Sequence, residues 1–104
     1  MQATSTQSDV AVSPEVRAFC EKQDLLSHLR VALRLAIRLF DVRGEPKVTL
    51  ETDPETDEES VVIDIVAPME VEAAVETMRE YTRQWVQSAP PDVLGLIRLI
   101  PDIA

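Results

Sequence analysis

The sequence predicts an α+β fold in which helices pack on one face of a small antiparallel sheet built on a β-hairpin, in the order α-α-β-β-α-α. Three observations predict it. Apolar residues recur at helical spacing over residues 25–40 and 70–87. Apolar and polar residues alternate over 47–51 and 60–67 on either side of a polar octapeptide. Proline and glycine punctuate the joins between these segments. With 104 residues there is room for one core, so residues 13–104 read as a single domain.

Residues 1–12 are polar and without period, which reads as a disordered tail in which Val10 and Val12 can still extend a sheet edge. At Ser13-Pro14-Glu15 a helix should begin. Ser is a good N-cap, Pro fits the first helical position where its missing N–H costs nothing, and a carboxylate suits the N-terminal dipole. Val16, Phe19 and Cys20 follow at helical spacing, and Lys22-Gln23-Asp24 interrupts them and offers Asp24 as a second cap. A long helix should then run from about Leu25 to Phe40. Leu26, Leu29, Leu33, Ala36, Ile37 and Phe40 share one arc of about 100° and form its core face. Val31, Leu35 and Leu39 lie on the far side, with Arg30, Arg34 and Arg38 as a stripe between. A helix apolar on two sides needs cover on both, from this chain or from another molecule.

Asp41 to Pro46 reads as a helix stop and a turn, with Gly44 free to take a positive φ. Val48 and Leu50 alternate with polar residues in a half-buried strand. In the next, Val61, Ile63 and Ile65 point one way and Val62, Asp64 and Val66 the other, and Thr52 to Glu59 form an acidic hairpin tip. In the third helix Val71, Ala74, Val75, Met78, Tyr81, Thr82 and Trp85 form the expected buried face, and Glu72, Glu76, Arg79, Glu80 and Arg83 the outer one. Ser88 to Pro91 breaks it. Residues 92–100 read as a short helix started at Pro91, a buried strand being the alternative. Two strands alone are marginal in water. A dimer joining two hairpins, or a third strand from residues 7–12 or from the C-terminal segment, would meet that need.

Ten basic residues against nineteen acidic ones give a net charge of −9. The charge is segregated: the chain before Gly44 carries net +1 and the chain after it −10. Such a field repels phosphate backbones and argues against nucleic acid as a partner. The single Cys20 excludes an intrachain disulfide, the N-terminus lacks a signal-peptide pattern, and no window is apolar enough for a membrane span. The expected setting is cytoplasmic, with no membrane.

No catalytic, cofactor or metal residues emerge, and the expectation is a protein that is not an enzyme. Asp53, Glu55, Asp57 and Glu59 alternate like calcium ligands, but Glu58 stands where the sharp turn needs Gly and Asp64, at the twelfth position, falls in a strand. Cys20 and His28, eight residues apart, would be about 12 Å apart on one helix, and one Cys with one His cannot fill a zinc site. Two glycines in all leave no phosphate-cradling loop. Glu72 and Glu76 sit beside Arg79 and Arg83 as surface pairs.

Partner binding is the remaining class. Arg30, Arg34 and Arg38 match the i, i+4, i+8 spacing of Glu72, Glu76 and Glu80, so the two stripes suit pairing within the fold or between two subunits; a solvated face is the plainer reading. Gripping a nucleic acid with the arginines is the alternative. Leu94, Leu96, Ile97, Leu99 and Ile100 are too many apolar residues for an exposed tail, and either cap the core or dock a partner.

The opening Ser13-Pro14-Glu15-Val16-Arg17-Ala18-Phe19, the Asp53-Pro54-Glu55 tip and the helix from Val75 to Trp85 resemble a family of small, uncharacterised, acidic bacterial α+β proteins, a resemblance that brings no activity with it. In size and charge the chain also resembles type II antitoxins, which implies a basic protein partner; a nucleic-acid-binding regulator that uses the Arg30, Arg34 and Arg38 stripe is the separate alternative read from the residues. The expected function is a homodimeric protein-interaction module whose acidic face meets a basic partner. Its apolar anchor would be Val31, Leu35 and Leu39, or Leu96, Ile97 and Ile100. On this reading Leu35→Glu breaks an assembly without unfolding the chain.

Overall fold

A computed structural model of the chain describes residues 12–104. The expected tail, apart from Val12, and the strand extension at Val10 lie outside the described residues. The elements are α1 (Pro14–Gln23), α2 (Leu26–Leu39), β1 (Lys47–Thr52), β2 (Glu59–Val66), α3 (Val71–Ser88), α4 (Pro91–Leu94) and β3 (Ile97–Asp102).

Helix α1 starts as its sequence dictates, with Ser13 Oγ accepting the Val16 N–H at 3.3 Å and Pro14 in the first turn. Its end corrects the expectation for Asp24. That residue sits in the left-handed region at φ 58°, and the next N–H, of Leu25, reaches back to the Cys20 carbonyl at 2.7 Å. Asp24 therefore closes α1 in a Schellman-type turn, and α2 starts after Leu25, its N-cap residue, without a side-chain cap. Gly44 takes φ 73° in the turn before β1.

Helix α2 buries Leu29, Ala32, Leu33, Leu35 and Ala36, while Ile37 is 50% exposed. At about 100° per residue the buried positions span about 160°, from Leu33 through Ala32 to Leu35. The two apolar faces expected from the sequence are thus the edges of one wide buried arc, and Ile37 falls outside it. Ala32 and Ala36, fully buried, lie near the middle of the arc. Helix α2 touches α1, α3 and β3 at once.

Strands β1 and β2 pair antiparallel, with Val48 opposite Ile63 and Thr49 opposite Val62. The C-terminal segment departs from the helix expected there: only Pro91–Leu94 is helical, and β3 lies parallel to β2, Ile63 opposite Leu99. The sheet has the order β1-β2-β3 and is mixed, where a purely antiparallel one was expected. Parallel neighbours need a crossover connection, and α3 with α4 supplies it. The third strand meets the need that two strands left open.

Val48, Val61, Ile63, Ile65, Ile97 and Leu99 face the helices in one cluster with Val16, Phe19, Leu29, Leu35, Tyr81 and Trp85. The opposite sheet face bears Lys47, Thr49, Glu51, Arg98 and Asp102, all exposed, around a buried Val62. The helices therefore occupy one face of the sheet, as the sequence predicts. Among the described residues no helix is long and apolar enough to cross a membrane.

Helix α3 buries Ala74, Tyr81 and Trp85 but leaves Val71, Val75 and Thr82 exposed. The expected buried face is shifted toward Thr77, Glu80 and Gln84, which are half-buried. Tyr81 Oη and Trp85 Nε1 are buried and find no hydrogen-bond partner among the described residues. Burial pushes the Tyr81 phenol up to about 12. The folded pKa lies above the unfolded one, so the neutral phenol's contribution is complete below about pH 10 and lost as pH rises toward 12. Tyr81→Phe removes an unsatisfied hydroxyl without a cavity. It is expected to leave the urea midpoint at neutral pH unchanged or raised, by up to about 1 kcal/mol, and to flatten the alkaline loss of stability.

Candidate functional site

The hairpin tip is folded by its own polar groups. The Asp53 carboxylate accepts the Glu55 N–H at 2.8 Å, the Asp53 carbonyl accepts the Asp57 N–H at 2.8 Å, and Asp57 turns the chain at φ 61°. Beside it, the Val61 N–H donates to the Leu96 carbonyl at 2.7 Å, which fixes the turn between α4 and β3 against the start of β2.

Two adjoining grooves result. One is lined by Glu51, Asp53, Glu58, Glu59, Leu96 and Arg98 among others, and the other by Phe19, Gln23, Glu58, Glu59, Asp92 and Leu96. Glu58, Glu59 and the half-buried Leu96 belong to both. The two grooves together are lined by five carboxylates and one guanidinium, and that guanidinium, of Arg98, lies 3.7 Å from Glu51. A rim of exposed carboxylates around an apolar floor can accept several ammonium or guanidinium donors while a neighbouring apolar side chain covers Leu96. Among the described residues no group of three or more His, Cys, Asp or Glu side chains converges as a metal site would require.

The other sequence-derived candidates are dispersed. Arg30, Arg34 and Arg38 remain on one exposed flank of α2. The arginine and glutamate stripes meet where Arg38 donates to the Gln84 Oε1 and Gln84 donates to Glu80 at 2.6 Å. Hydrogen bonds from Gln84 and Arg83 hold the Glu80 carboxyl below its ordinary value, with the positive charges of Arg83 and Arg38 adding to the effect. Glu72 and Glu76 stay exposed.

Because Arg38 reaches α3, the residues on its flank of α2 face α3 too. Leu35 is only 6% exposed, and Val31 and Leu39 are half-buried against the core. The spare apolar face of α2 is covered within the chain. Leu96, Ile97 and Ile100 part company: Leu96 floors the grooves, Ile97 is in the core, and Ile100 lies on the open sheet face. Cys20 is fully buried, and burial raises its thiol pKa against the opposing charge of Arg17. That is the reverse of what a thiolate nucleophile needs.

Sequence reasoning missed Glu51, Asp92 and Arg98 as neighbours of the acidic tip. Glu51 directly precedes the tip and stands opposite Ser60, whereas the proximity of Asp92 and Arg98 depends on the parallel pairing of β2 with β3, which places Ile97 opposite Val61. Nothing local in the sequence specifies that pairing. Compared with protein-family models, with curated proteins and with solved structures, the chain matches none.

Proposed function

We propose that this chain is a non-enzymatic, homodimeric protein-interaction module of the cytoplasm that docks a basic segment of another protein at the hairpin end. The observation that carries the reading is the pair of adjoining grooves in which Glu51, Asp53, Glu58, Glu59 and Asp92 surround Leu96. A field of one sign steers an oppositely charged partner into encounter, and a central apolar contact then slows its departure. The net charge of −9 extends that field over the molecule.

The test uses a fluorescent peptide rich in Lys and Arg around one Leu, titrated against the folded protein. Binding is expected to weaken steadily with added salt, since exposed charges are screened within a Debye length of about 10 Å at 0.1 M. Joint Glu58→Lys and Glu59→Lys substitution should raise the dissociation constant at least about tenfold, or ~1.4 kcal/mol. Leu96→Ala should weaken binding without altering its salt dependence. Binding indifferent to salt and to the charge reversal would overturn the docking reading. DNA or RNA binding that Arg34→Ala abolishes would replace it with the nucleic-acid alternative.

A further inference from the structure

Helix α3 carries an apolar stripe that the described chain leaves open. Val71 is 67% and Val75 47% exposed, Met78 is half-buried and Thr82 exposed, and a shallow groove runs along Val75, Met78 and Thr82. The spacing from Val71 to Val75, Met78 and Thr82 is four, three and four residues, the repeat by which one helix seats against another. It continues through Trp85 and Ala89, which are buried, so the open part is the N-terminal half of the seam.

The charges beside the stripe are polar along the helix. Glu72 and Glu76 flank its beginning and Arg79 and Arg83 its end, on the side away from the core. Glu80 occupies Arg83, but neither Glu72 nor Arg79 has an ion-pair partner among the described residues. A parallel copy of α3, related by an axis along the pair, would place this charged flank of the two helices on opposite sides of the seam and leave Glu72 and Arg79 without a counterpart. An antiparallel copy sets acid against base at both ends, because a two-fold axis across the helix pair brings the same flank of each helix to the same side.

We infer that a second copy of this chain covers the stripe, its α3 antiparallel to the first about a two-fold axis near Glu76 and Thr77. Val75 then packs against the partner's Met78, Val71 against the partner's Thr82, and Glu72 meets the partner's Arg79, each contact made twice. This surface rests on the homodimeric part of the function proposed above and names the face that forms the dimer; the acidic grooves are not part of it.

Molar mass by sedimentation, across a concentration series, tests it. Wild type is expected to be a dimer, and Val75→Glu a folded monomer, its dimer dissociation constant raised at least about a hundredfold, because an exposed position can take a carboxylate in the monomer but not in a dry seam. Glu72→Arg should weaken the dimer several-fold, and adding Arg79→Glu should restore it. A dimer that survives Val75→Glu overturns this surface and leaves the homodimer to another face. A double charge swap that fails to restore what Glu72→Arg lost overturns the antiparallel arrangement. A wild-type monomer at every concentration overturns both the surface and the homodimeric reading, and leaves the stripe to a different protein.

Discussion

Leu35→Glu is expected to leave the chain unfolded, the opposite of what the sequence suggests. The sequence assigns Leu35 to a spare face that either this chain or another molecule must cover, and the interaction-module reading takes the second course. In the structure it is 6% exposed, on the flank of α2 whose Arg38 reaches Gln84 of α3. Removing a buried leucine side chain costs about 2–5 kcal/mol, and an unpaired carboxylate in its place adds several more through desolvation. A domain of this size has about 5–15 kcal/mol to lose. Far-ultraviolet circular dichroism and urea titration should find no cooperative transition, or one close to zero denaturant. Ile37→Glu is the matched control: two residues on and 50% exposed, it should keep its midpoint within about 0.5 kcal/mol of wild type. A stable, folded Leu35→Glu monomer would show that α3 does not cover this flank.

The contrast between Leu35 and Ile37 also shows where the sequence is readable. Element starts and stops that depend on local chemistry are legible: Ser13-Pro14 opens α1, and Val61, Ile63 and Ile65 alternate into the core of β2. Which side of a helix is buried is less so when three elements surround it. Leu26, Leu33 and Ile37 outweigh Ala32 and Ala36 in apolar size, yet the alanines lie near the centre of the contact. In α3, Val71 and Val75 are as apolar as the core valines but remain open, so hydrophobicity alone cannot separate a buried face from an exposed one. The acidic loop of the candidate site is plain in the sequence. Its apolar floor is not, because Leu96 comes beside it through the pairing of strands that are thirty residues of helix and turn apart.

That pairing makes the second large prediction, Ile100→Pro. Adjacent parallel strands turn both the N–H and the C=O of alternate residues toward each other. The Leu96 carbonyl accepts from Val61 and the Asp102 carbonyl from Ala67, so the even-numbered residues of β3 face β2 and the odd-numbered ones face the open edge. Pro101 falls on the edge side, where its missing N–H removes nothing from the ladder. One residue earlier, a proline deletes a donor to β2 and drives its ring into the paired strand. The side chain of Ile100 is 41% exposed, so little of the loss is apolar burial. The backbone effect should be about 3 kcal/mol. It grows if β3 detaches, because Val61, Ile63 and Ile65 then lose the strand beside them and a two-stranded sheet does not persist alone. Pro101→Ala, by contrast, should move the urea midpoint by less than about 1 kcal/mol. The same experiment reaches the site: detachment of β3 releases Leu96 from the groove floor, so Ile100→Pro should abolish binding of the basic peptide while Pro101→Ala preserves it. Equal stability of the two variants would mean that β3 does not hold this register, and the groove would have to be rebuilt without Leu96.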